Sequence, residues 1–163
     1  MPTSGAFGDA ITRVSTTQDH PLGFIVVEPA HMGSGANANE GEREWIYVFN
    51  DEAATNFAEG HVVSRDAATI AVDGILAPAN THACRVVGVV QHAIAFGSFG
   101  FILRKGIGEV LADAGGVTAD LGLIVGDAAG TADAAAAVTD ASFGVAIDTA
   151  ASALATCWVN CQG

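Results

Sequence analysis

The strongest constraint on this chain is its punctuation. Short runs of β-branched, aliphatic or aromatic residues recur at roughly 8–12-residue spacing, and a glycine, proline or Asx turn closes most of them. Gly23–Glu28 stops at Pro29, Glu44–Asn50 and His61–Ser64 follow, and Thr69–Val72 precedes an Asp73-Gly74 turn signal. Cys84–Val90, Ala93–Phe96, Phe99–Arg104, Glu109–Ala112, Leu121–Val125, Phe143–Ile147 and Ala155–Val159 continue the series. Ala128–Val138 is the one helix candidate; it contains Gly130 and Thr131, lacks an apolar stripe and is expected as a loop or one short turn. An all-β fold follows, a small sandwich or barrel over residues 23–163. Residues 1–22, with Pro2, Gly5, Gly8 and Pro21 and no sustained period, are expected as an extended N-terminal arm.

Composition narrows the function. The chain is 50% apolar but only 7% aromatic, with 20 glycines, which suits closely packed strands and tight turns. Its formal charge is −12, from 18 acids against six bases, and Lys105 is the only lysine. Neutralising phosphates takes clustered Lys and Arg, so no nucleic-acid partner is expected. An anionic membrane surface would repel the chain for the same reason, and no apolar run approaches the ~20 residues of a span. Met1–Asp9 has neither a basic nor an apolar signal region, which points to synthesis in a cytoplasm. Cys84, Cys157 and Cys161 are an odd, sparse set, expected as free thiols.

A search for catalytic chemistry returns little. Gly33-Ser34-Gly35-Ala36-Asn37-Ala38 has the small-residue spacing of a dinucleotide loop, but the helix that must hold the pyrophosphate does not follow. His20, His31, His61, His82 and His92 are spaced too widely to place two ligands on one strand or helix face. Cys157 and Cys161, four apart on a strand, would sit ~13 Å from each other, too far for one zinc. Lys105 reads as a strand-end base or an ion-pair partner. No nucleophile elbow or zincin motif is present. The expectation is a protein that is not an enzyme and uses no cofactor or metal.

Binding residues are easier to nominate. In Glu44–Asn50, Trp45, Tyr47 and Phe49 share one face and Ile46 and Val48 the other, so both faces need cover from the domain or a partner. These three aromatics, with Phe7, Ile11 and Val14 of the arm, are the candidate partner contacts.

From Arg85–His92 the chain resembles a known family. The succession runs through Gly97–Gly100, Phe101–Arg104, Gly106, Val110–Ala112, Gly122–Gly126 and Phe143–Ile147, with Glu44–Val48 and Gly60–Val63 ahead of it. It is similar to the decoration (cement) proteins of tailed-phage capsids. The resemblance spans roughly residues 20–150 and rests on glycine spacing and strand character. It implies a β-tulip or β-sandwich, a homotrimer seated on the outer capsid surface of the virion, and the major capsid protein as partner. It brings no catalytic residues. The alternative is a glycan- or receptor-binding β-module using Trp45, Tyr47 and Trp158.

Overall fold

The computed structural model describes residues 11–29, 41–66, 72–137 and 141–162. Its strands are β1 (Ile25–Glu28), β2 (Arg43–Asn50), β3 (Val62–Arg65), β4 (Asp73–Leu76), β5 (Val86–Val89), β6 (Phe99–Leu111), β7 (Leu123–Val125), β8 (Ala132–Ala134), β9 (Gly144–Ala146) and β10 (Leu154–Asn160). The fold is all-β, as the turn spacing predicts. One 3₁₀ turn, Ala83–Arg85, starts where His82 Nδ1 accepts the Cys84 N–H at 3.2 Å.

Eight strands form one sheet in the order β1-β2-β4-β3-β5-β6-β10-β9, and an additional β2–β6 pairing curls part of it shut. The closed ring is β2-β4-β3-β5-β6. A ring with an odd number of strands cannot be antiparallel throughout, because direction must alternate and return to its start. One adjacent pair has to run parallel. That pair is β2 and β4, joined at Phe49↔Asp73 and Asn50↔Gly74.

The barrel interior takes alternate residues from each strand. Ile46 and Val48 of β2, Val63 of β3, Val87 of β5 and Ile102 of β6 meet there with Phe57 and Ile94, which bridge each other across the loops. So small a ring leaves no room for side chains everywhere. A Cβ on Gly88 would lie 2.7 Å from the Leu103 carbonyl oxygen and 2.9 Å from the Ile102 side chain, so only glycine lets β5 approach β6 here. Gly106, at φ +122°, serves a different purpose, letting the long β6 change course.

Beyond Gly106, β6 leaves the barrel and pairs with β10, which in turn pairs with β9. The second apolar cluster lies on this side. Trp45, Tyr47, Phe101 and Leu103 turn outward from the barrel and join Val110, Leu123, Phe143, Cys157 and Val159 in it. The β7–β8 hairpin closes the far end. Asp113 ties that end together: its Oδ1 accepts the N–H of Gly115 at 2.7 Å and of Gly116 at 3.0 Å, and its Oδ2 accepts that of Asp127 at 2.9 Å.

Several local expectations change. Asp73-Gly74 is the start of β4 rather than a turn, because the barrel needs a parallel partner for β2, and Gly74 fits where a Cβ would meet Val63 at 2.8 Å. Thr69–Ala71 lies outside the described residues. The expected loop after Ala128 contains strand β8, held by pairing with β7 and by an Ala112↔Ala132 bridge rather than by its own apolar content. Phe99–Arg104 and Glu109–Ala112, read as two strands, are joined as β6 across Gly106. Ala93–Phe96 contributes only the Ile94 bridge.

Residues 11–22, expected within the arm, lie against the barrel. Ser15 and Phe99 exchange backbone hydrogen bonds at 3.1 and 2.8 Å, Ile11 is 3% exposed, and Leu22 packs on the second cluster. Residues 1–10 lie outside the described residues.

Candidate functional site

Two of the three aromatic candidates on β2, Trp45 and Tyr47, are core residues. Trp45 is 4% exposed and Tyr47 2%. The Trp45 indole N–H donates to Glu28 Oε2 at 3.0 Å, and the same oxygen pairs with Arg43 Nε at 2.9 Å while the guanidinium sits 5.3 Å from the indole centroid. Tyr47 accepts the Asp19 N–H at 3.1 Å and packs against His20, Phe99 and Phe101. These side chains, expected as partner contacts, are instead consumed in fixing β1 and residues 19–24 to the barrel. Phe49 is half-buried against Phe99. Ile11 is buried, Val14 is 36% exposed, and Phe7 lies outside the described residues.

A cleft of about 430 Å³ opens beside Trp45, with Glu28, Arg43, His92, Ile107 and Glu109 in its walls. Its chemistry is largely spoken for. Glu28 answers Arg43, and the Glu109 carboxylate accepts the Thr156 hydroxyl at 3.3 Å. Gln91 clamps the Glu109 backbone, donating to its carbonyl and accepting its N–H, each at 2.9 Å. Burial holds His92 below the usual imidazole range, and its Nε2 finds no hydrogen-bond partner among the described residues. Among the described residues no three His, Cys, Asp or Glu side chains converge as a metal ion requires. Burial also pushes the Cys157 and Cys161 thiols up to about 12, far from the thiolate that nucleophilic chemistry needs.

The feature without an internal explanation is apolar. Val145, Ile147, Leu154 and Trp158 are 40–45% exposed. Trp158 pairs directly with Val145 of β9 on one side and Ile107 of β6 on the other, so these three side chains form a row across the sheet. Leu154 projects from the same face of β10 two positions beyond Thr156. A second exposed set, Phe24, Ile25 and Val27, lies along β1 at the end of the sheet. Sequence reading nominated Trp158 and missed its neighbours. The available signal was that Phe143–Ile147 and Ala155–Val159 are apolar on both faces while only one can face the core.

No protein-family model matches this chain, and no curated protein does. The fold does have a solved counterpart. The chain is similar to the head fiber gp8.5 N base in bacteriophage phi29, with a TM-score of 0.53 and 16% sequence identity over 71% of this chain and 92% of that one. At that identity the likeness is one of fold. It covers nearly all of the fiber base and leaves part of this chain unmatched.

Proposed function

We propose that this chain is a virion structural protein that decorates a phage capsid, binding across major capsid protein subunits on the outer surface as a homotrimer. The observation that carries it is the shared fold with a phage head fiber base over 92% of that chain. The glycine-punctuated resemblance to decoration proteins points the same way from the sequence alone. In this account the chain is made in the host cytoplasm, acts without catalysis and uses no cofactor.

The physical features fit a cement. Stabilising a shell means filling seams between subunits, which calls for exposed apolar strand surface and for sheet edges open to pairing. Exposed Ile25 and Val27 on β1, with Phe24 just before it, supply such a surface. Many copies on one lattice need little affinity each. The charge of −12 keeps unbound copies apart and makes positively charged seams the favoured seat. The glycan alternative retains at the surface only Trp158 of its three aromatics, the other two being core residues.

The test is composition and location. Mass spectrometry of gradient-purified particles of the source virus, with antibody labelling of intact particles, should find the chain present at a fixed ratio to the major capsid protein and accessible from outside. Its absence from purified particles would end this account.

A further inference from the structure

The Trp158 face has a polarity beyond its apolar row. Successive pairs across β6 and β10 are Lys105↔Asn160, Ile107↔Trp158, Glu109↔Thr156 and Leu111↔Leu154. One flank of the Ile107–Trp158–Val145 row is therefore basic and the other acidic. At the basic flank Arg104 and Lys105 share a single carboxylate, Glu44, at 2.8 and 3.5 Å, which leaves a net positive charge. Lys105 keeps 44% of its side chain exposed. At the acidic flank the Glu109 carboxylate accepts only the Thr156 hydroxyl among the described residues, with no base paired to it, and Asp148 stands nearby, its N–H bonded to the Thr156 carbonyl at 3.2 Å.

We propose that this face binds a second copy of the chain about a symmetry axis running parallel to the Ile107–Trp158–Val145 row. Rotation about such an axis carries the strand direction around the ring. The Lys105 flank of each copy then meets the Glu109 flank of the next, for two copies or for three. The row packs against its own equivalents near the axis, and the flanking charges pair across each joint. The pattern is self-complementary. That is what selects a second copy as occupant, since a partner of uniform charge would satisfy one flank and oppose the other. It also answers how molecules of charge −12 associate at all: they meet where the surface is apolar and its charges alternate in sign. The inference rests on the self-association in the proposed function and names the surface responsible.

Sedimentation equilibrium of the full chain, at low and high salt, reads this directly. The unmodified chain should associate, less tightly at high salt. Trp158→Asp should weaken association about 100-fold or more, as loss of a central aromatic anchor does. Lys105→Glu should weaken it about tenfold, and Lys105→Glu/Glu109→Lys should restore most of that loss. The charge variants alter groups that are only partly buried, so they report even if Trp158→Asp fails to fold, and circular dichroism confirms folding of each. A monomeric parent chain would overturn the inference, as would full association of Trp158→Asp or no recovery in the charge swap. Binding to capsid shells is measured separately. A monomer that binds shells ends this inference and spares decoration; an oligomer that ignores shells does the reverse. A Trp158→Asp chain that still associates but loses shell binding reassigns the face to the capsid.

Discussion

Asp113 accepts the backbone N–H of Asp127 at 2.9 Å, with its other oxygen on Gly115 and Gly116, and so joins the turn after β6 to the loop after β7. It is 6% exposed. Burial alone would raise its pKa, but the three backbone donors outweigh it and hold the carboxyl below its ordinary value. Asp113→Asn places a donor where an acceptor is needed and should destabilise the fold by about 1–3 kcal/mol at neutral pH. The sign of the pH effect follows. A depressed folded pKa gives stability that is fully present above the unfolded value near 3.9, and that stability fades as pH falls through the folded value. Urea unfolding should show the gap between parent and variant narrowing in acid; a gap independent of pH would contradict the assignment.

Gly88 tests the barrel. Gly88→Ala drives a methyl group to 2.7 Å from the Leu103 carbonyl oxygen and 2.9 Å from Ile102, between strands that have no slack. Overpacking of this kind costs about 1–3 kcal/mol. Thermal or urea denaturation should show that loss without a change in far-ultraviolet spectrum, and an unaffected melting point would mean that β5 and β6 are farther apart than described.

The thiols separate by environment. Cys84 is exposed, whereas Cys157 and Cys161 are buried with their pKa values pushed up to about 12. All three are free. Titration of the native chain with a disulfide reagent near pH 8 should release one fast equivalent, and the remaining two should appear on denaturation. Rapid native reaction of all three would show that the β10 side of the core opens.

How much of this was legible in the sequence depends on the range of the interaction. Strands such as Glu44–Asn50 and Ala155–Val159 declare themselves through residue type, because β-branched and aromatic side chains fit a pleated surface wherever it lies. Asp73-Gly74 misleads because the same dipeptide that favours a turn is accepted in a strand when a closing barrel demands one, and that demand comes from β2, distant in sequence. Ala132–Ala134 has no local signal at all; its strand character comes from β7. At the candidate site the ambiguity is of faces. Trp45 and Trp158 both sit in strands apolar on two sides, and alternation cannot say which side a neighbouring element will cover. The fold covers Trp45 with β1, Arg43 and Glu28 and leaves Trp158 open.

The central claim is that this chain seats on a capsid. Purified chain should be co-sedimented with undecorated, expanded shells of the source virus, and bound copies counted per major capsid subunit. Decoration predicts saturation at a fixed lattice ratio, with the loaded shells surviving more heat than bare ones. Failure to bind, or binding that rises without a ceiling and leaves shell stability unchanged, would contradict it.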